Sequence, residues 1–241
     1  MSDLRMFFEE RKKEIDNYFM FLELFQIDTG TTKVLTIDDN RSMKINDNLQ
    51  KNFKSQCILM LYNLVEGTVN KGIEFIFGKI NDDALSYLNV NEKIKIIWYK
   101  HHVPKMKKIE IDNLEHPVEV IKFIENKYLT TIELNLDEFR QKNASYFSAG
   151  SLDSSVIRDD ILKKRFDITM NQSEYVLREI KMKRNNLAHG EDSFVNCMNL
   201  TSFTEILAWK DKTFLFLDEY INTIENYVNN KSYKNSNLEN I

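Results

Sequence analysis

An all-α helical bundle is the fold class this sequence predicts, and three observations predict it. Only 6 Gly and 2 Pro occur in 241 residues, roughly a third and a sixth of average usage, which is too few for the turns of a sandwich or barrel. Apolar residues (42%) and charged residues (29%) interleave at three- and four-residue spacing over long stretches. The chain is also long enough to bury a core unaided, and residues 1–230 read as one domain.

The first element is an amphipathic helix over 3–26, with Leu4, Phe7, Phe8, Ile15, Phe19, Leu22 and Phe25 inward and Ser2 or Asp3 as N-cap. Residues 28–42 gather Gly, Thr, Asp and Asn around the β-branched stretch Val34 to Ile37, so a loop or a small strand is expected there. From Asn46, the positions Leu49, Phe53, Cys57, Met60, Leu61 and Leu64 predict a long central helix reaching about Ile76. Asn63 and Glu66 interrupt its apolar face. They either lie on the solvent edge or pair within the bundle, or they approach a polar cleft.

A third helix is predicted from Asp82 to about His102, with Leu85, Leu88, Ile94, Ile97 and Trp98 inward. Pro104 and Pro117 bracket a lysine-rich excursion, about 103–117, that cannot continue its neighbours as one helix. Val118 to Tyr128 returns to a helical pattern, and Thr130 to Leu136 alternates as a short strand. A loop at 148–151 precedes Asp153, a candidate N-cap for a helix from Ser154 to Phe166. The next helix spans 173–190 and stops at Gly190, where glycine suits a left-handed cap. Another runs from Thr201 to Asn229, with Ser202 and Glu205 at capping-box spacing. The Asn-, Ser- and Lys-rich tail 231–241 is expected to be disordered.

The net charge of −4 excludes a generally cationic nucleic-acid-coating protein but not a local basic patch. Cys57 and Cys197 are read as buried free thiols of a reducing, cytoplasmic setting. The N-terminus lacks the apolar core of a signal peptide, and the longest apolar run, Cys57 to Tyr62, is too short to span a membrane.

Common catalytic signatures are missing: there is no phosphate-binding glycine loop, no dinucleotide fingerprint, no His-Glu-x-x-His and no nucleophile elbow. His101, His102 and His116 have no carboxylate or thiol at ligand spacing, so neither a metal nor a cofactor is expected. His189 differs, because Lys183-Arg184-Asn185-Asn186-Leu187-Ala188-His189-Gly190 joins an arginine, an amide and a histidine at a helix end. The offset from Arg184 to His189 is about 140° of helical rotation, so fraying at Gly190 and the reach of the arginine would have to bring both to one cleft. Arg and His together suffice for metal-free RNA cleavage. A neutral imidazole takes the proton of a ribose 2′-OH, while a guanidinium holds the phosphate and the charge growing on it. Taken alone, an Arg-x4-His string is also what a plain helix C-terminus presents, with His on the dipole and Arg solvated.

The string Arg184-Asn185 to His189-Gly190 resembles the signature of the HEPN superfamily, whose ribonuclease members carry Arg-x4–6-His with a polar residue after the arginine. Two other stretches resemble a prokaryotic branch linked to defence and toxin systems: Phe53 through Glu66, and Gly150-Ser151-Leu152-Asp153 through Arg158. The resemblance implies a HEPN-type helical bundle that dimerises, so that two Arg-x4-His motifs line one composite cleft. It makes Arg184 and His189 catalytic, with Asn185 orienting the histidine or the phosphate. Asn63 and Glu66 become supporting candidates, and the N-terminal helix, the loop near Asp28 to Ser42 and the 103–117 excursion exceed a minimal bundle. Eight basic and five acidic residues between Arg158 and Arg184 permit an RNA cleft, with Lys181 and Lys183 as candidate substrate contacts.

The expectation is a metal-independent endoribonuclease acting as a homodimer, a toxin or antiviral defence effector with RNA as substrate and an antitoxin or defence protein as further partner. The alternative is a non-catalytic HEPN module that binds nucleotide, RNA or protein. A purely structural dimerisation domain is the third reading.

Overall fold

A computed structural model describes residues 1–24, 33–38, 41–106, 131–142, 146–147 and 152–235. Helices dominate these residues: α1 (Asp3–Leu24), α2 (Asp47–Asp82), α3 (Glu92–Met106), α4 (Leu136–Lys142), α5 (Val156–Phe166, wound as a π-helix), α6 (Val176–His189), α7 (Phe194–Cys197) and α8 (Phe203–Asn229). Among the described residues the fold is all-α apart from one hairpin, in which β1 (Lys33–Asp38) pairs antiparallel with β2 (Arg41–Ile45), Lys33 opposite Ile45. The small strand expected at Val34 to Ile37 therefore has a partner that the sequence pattern did not announce. None of the helices among the described residues is long and apolar enough to cross a membrane.

The bundle is built around α2, whose 36 residues make a rod about 54 Å long against which α1, α6, α7 and α8 all pack. Asn46 starts it by accepting the Leu49 N–H at 2.9 Å, one of the orphan donors of a first turn. The helix does not weaken near Ile76 as the apolar pattern suggests, but continues through Gly67, Gly72 and Gly78 to Asp82. At Gly72 the missing side chain is a packing requirement, because Tyr220 of α8 lies against the backbone and donates its hydroxyl to the Val69 carbonyl at 3.0 Å.

The N-terminal helix belongs to this core. Leu4, Phe8, Ile15, Phe19 and Leu22 of α1 are buried, each stabilising the fold by roughly 1.5–3 kcal/mol. Ser2 caps α1 through the Arg5 N–H at 3.1 Å and also donates its hydroxyl to Glu225 at 2.5 Å. Arg5 reaches Asp218, Asn222 and Glu225 at 3.3, 2.8 and 2.9 Å, which ties α1 to α8.

Four sequence-based boundaries shift. The third helix starts at Glu92 rather than Asp82, because Ala84 adopts a left-handed conformation (φ 49°) and Asn91 then accepts the Ile94 N–H at 3.0 Å. As a result Leu88, expected inward, is 49% exposed, while Leu85, Ile94, Ile97 and Trp98 are buried. Helix α3 also runs through Pro104 to Met106, so the excursion begins later than 103; the rest of 103–117, and the helix expected at Val118 to Tyr128, lie outside the described residues. Among the described residues the strand expected at Thr130 to Leu136 is reduced to one isolated antiparallel bridge, Thr131 with Ser86. Instead the Asn81 side-chain amide exchanges two hydrogen bonds of 2.9 Å with the Leu134 backbone, so a side chain stands where a strand would pair.

The fourth shift concerns the tail expected to be disordered from 231. Residues 231–235 are held: Tyr233 is 2% exposed, its carbonyl accepts the Asn91 N–H at 2.8 Å, and Asp83 takes hydrogen bonds or ion pairs from Lys231, Tyr233 and Lys234 at 3.0–3.1 Å. The aromatic ring and the carboxylate overcome the polar composition. Residues 236–241 lie outside the described residues, as do 25–32 of the N-terminal loop.

Candidate active site

Helix α6 carries the signature residues, and its two faces separate them. Val176, Leu177 and Ile180 are buried. Relative to Ile180, Arg184 is turned by about 40° and His189 by about 180° at 100° per residue. The helix stays regular to His189, and Gly190 ends it in the left-handed conformation (φ 71°), with the Glu191 N–H closing on the Asn186 carbonyl at 2.9 Å. The fraying needed to bring Arg184 and His189 together within one chain is absent. Arg184 is half-buried toward α2, whereas His189 is exposed.

What meets Arg184 is Tyr62. The guanidinium carbon lies 4.6 Å from the Tyr62 ring centroid, within cation–π range. The guanidinium also donates to the Asn185 side-chain oxygen at 3.2 Å, so the contact Asn185 makes is with the arginine rather than with the histidine it was expected to orient. Tyr62 is 1% exposed, and its hydroxyl accepts the Leu152 N–H at 3.2 Å. Burial pushes the Tyr62 phenol up; the Leu152 N–H and the Arg184 charge pull it down, and the carboxylates of Glu66 and Asp153 push it further up. Glu66 is thus an electrostatic neighbour of Tyr62.

Asn63 goes elsewhere. Rotated about 100° from Tyr62 around α2, it lines a cleft of about 410 Å³ between α1 and α2 together with Phe7, Arg11, Met60 and Gly67. The two polar residues of the central helix therefore part, Glu66 acting on Tyr62 and Asn63 lining the cleft against α1.

The two lysines assigned to substrate have partners within the chain. Lys181 makes an ion pair with Asp153. Asp153 also accepts the Ser155 and Val156 N–H groups at 3.1 Å and the Ser155 hydroxyl at 2.6 Å, which caps the entry to α5. Burial acts to raise the Asp153 carboxyl, but the bonds from Lys181, Ser155 and Val156 outweigh it and hold it below the usual carboxylate range. Lys183 donates to the Cys197 carbonyl at 2.7 Å and lies 6.0 Å from the Trp209 ring centroid. Both ammonium groups brace the signature helix, Lys181 against the 152–155 segment and Lys183 against α7.

The return strand of chain after Gly190 is pinned to α2. Ser55 donates to the Phe194 carbonyl at 2.5 Å, Lys51 to the Asn199 side chain at 2.7 Å and Lys54 to the Thr201 carbonyl at 3.2 Å. Sequence reasoning missed Tyr62, although a tyrosine closing the longest apolar run, one turn before Glu66, was a signal that its hydroxyl needs a buried partner.

Chemically, the pair offers a permanently charged, planar fork held on a ring, with an exposed imidazole at the far side of the same helix. Among the described residues no three His, Cys, Asp or Glu side chains are grouped to hold a metal ion. No curated protein and no solved structure matches the chain. A family model does, over residues 2–233, which includes α1, the central helix and the whole Arg184 to His189 segment. The chain belongs to the HEPN_MAE_28990-like HEPN family.

Proposed function

We propose that this HEPN protein is an endoribonuclease that needs no metal, works as a homodimer and serves as a toxin or antiviral defence effector. The observation that carries the reading is the state of Arg184. It is a half-buried guanidinium whose partners among the described residues are a neutral amide and an aromatic face, with no carboxylate ion pair there. A buried or half-buried cation without a counter-ion is poised for an anionic ligand, and a forked guanidinium fits a phosphate. In the reaction His189 takes the proton of the ribose 2′-OH, and the 2′-oxygen bonds to phosphorus. The 5′-oxygen leaves and is protonated by a second, charged imidazole or by water. Arg184 stabilises the charge on the phosphoryl oxygens throughout. The products are a 2′,3′-cyclic phosphate and a 5′-OH.

Because Arg184 and His189 diverge within a chain, the working site needs the histidine of a second copy. The outward face of α6, where His189 lies, offers a seam to such a second copy. Tyr175, Arg178, Met182, Asn185 and His189 follow alternating three- and four-residue spacing, the seam of a helix pair. Tyr175 and Met182 on that seam are 65% and 48% exposed. RNA incubated with the purified protein in EDTA should be cut, with the stated end groups, and a His189→Ala protein should not cut it; uncut RNA, or undiminished cutting by the variant, rejects the proposal.

The same divergence favours one second reading, a HEPN module that binds RNA, nucleotide or an antitoxin-like partner without cleaving. Expression separates the two. A nuclease arrests growth in a way that Arg184→Ala relieves, whereas a binding module leaves growth unaffected.

A further inference from the structure

We infer that Tyr62 is the positioning residue of Arg184: its ring sets the plane of the guanidinium, and the Leu152 amide sets the ring. The inference rests on the ribonuclease reading for its kinetic consequences and on geometry for its content. Three elements that are distant in sequence meet at this one side chain. Tyr62 projects from the middle of α2, Arg184 from the last turns of α6, and Leu152 from the segment that enters α5.

The arginine has four rotatable bonds and no carboxylate among the described residues to hold it, so without a platform its fork samples many orientations. A ring face restrains it differently from an ion pair. It attracts the cation through the π-cloud but leaves the N–H groups at the guanidinium edge unused, and Asn185 accounts for one of them at 3.2 Å. The remaining donors can then serve a phosphate without first breaking a salt bridge.

The platform is itself immobilised. At 1% exposure the Tyr62 ring has no room to swing, and its hydroxyl is fixed by the Leu152 N–H at 3.2 Å. The next residue, Asp153, pairs with Lys181 one turn before Arg184. The 152–153 segment thus grips both the platform and the helix bearing the arginine, which keeps their separation constant. Fixing a charge in advance is how a protein makes it effective in a transition state.

The test compares Tyr62→Phe, Tyr62→Leu, Arg184→Ala and the double variant Tyr62→Leu/Arg184→Ala in the full chain, by kcat and KM for RNA cleavage and by thermal melting. Tyr62→Phe keeps the ring and should retain most of kcat while melting a few degrees lower, since the Leu152 amide loses its acceptor. Tyr62→Leu should lose about tenfold in kcat with a smaller change in KM. In the Arg184→Ala background it should cost nothing further in kcat, as expected when two residues act as one unit. Equal losses from Tyr62→Leu in both backgrounds, or a loss from Tyr62→Phe as large as that from Tyr62→Leu, overturn the inference.

A readout independent of activity separates its failure from that of the ribonuclease reading. The Arg184 Nε–H resonance should carry a ring-current shift that survives Tyr62→Phe and disappears in Tyr62→Leu, and a resonance unmoved in Tyr62→Leu refutes the stacking whatever the protein does to RNA. If Tyr62→Leu fails to fold, Tyr62→Met provides the same comparison.

Discussion

Arg184 lies over the ring of Tyr62 with 4.6 Å between guanidinium carbon and ring centroid, and the two come from helices that cross at the centre of the bundle. The contact gives the signature arginine a fixed direction toward α2, while His189, five residues on, is exposed on the other side of α6. A separation of that kind makes the order of events testable at the level of subunits.

If the histidine acts on phosphate held by the partner's arginine, two strongly impaired proteins should complement each other. Mixing Arg184→Ala with His189→Ala, followed by subunit exchange, should restore a fraction of wild-type RNA cleavage, because half the mixed dimer's sites contain both groups. A mixture as impaired as its components would show that both groups act from the same chain.

The exposed seam on α6 predicts the response of assembly. If two copies pair along this face to cleave RNA, Met182→Glu, two charges per dimer at a 48% exposed position, should shift sedimentation toward monomer and lower cleavage at least tenfold. Its melting temperature measured as a monomer should stay within a few degrees of wild type, since surface substitutions rarely change stability by more than about 0.5 kcal/mol.

Asp153 should report on acid stability. Its carboxyl is held below the usual range, so its contribution is fully present above the unfolded value of 3.8 and is lost as pH falls through the folded value. Asp153→Ala removes both the Lys181 pair and the entry cap of α5 and should cost about 1–3 kcal/mol at neutral pH. Denaturant unfolding at pH 7 and pH 3 checks both, with the gap between wild type and variant narrowing at the lower pH.

The C-terminal clamp should behave in the same sense. Hydrogen bonding from Lys231, against a burial effect that acts to raise it, brings the Asp83 carboxyl down to about 2, so its stabilisation persists to lower pH than that of an ordinary carboxylate and fades between about 4 and 2. Tyr233→Ala should cost about 3 kcal/mol, the scale of an aromatic lost from a core. Removing only 236–241 should leave the melting temperature unchanged, and a loss there would show that the clamp depends on the residues beyond it.

Gly72→Ala sets two effects against each other. Alanine is a better helix former by about 1 kcal/mol, but its Cβ would run into the Tyr220 hydroxyl and lie 2.8 Å from the nearest ring carbon. Overpacking of about 1–3 kcal/mol should win, whereas Gly78→Ala, with open space around the added carbon, should stabilise. Melting temperatures that move in opposite directions are the expected result.

Much of this was readable locally. Asn46, Ser202 and Gly190 each act within a few residues of themselves, so the chain announces where α2 and α8 begin and where α6 ends. The apolar spacing of α1, α2 and α8 likewise names most of its own core. Local signals failed where a distant group intervened. Asn81 took the place of a strand partner for Leu134, and Asp83 captured a lysine-rich tail that composition alone would leave free.

By itself, then, the sequence determined an all-α chain, the helix stops and the signature string Arg184 to His189 that carries the family resemblance. Tertiary structure alone decided that Arg184 rests on Tyr62, that Asn63 faces α1, and that Lys181 and Lys183 serve as braces. The physical reason is range. Caps and periodicity act over one or two turns of backbone, whereas the partner of a half-buried guanidinium is chosen by which helix packs against its own.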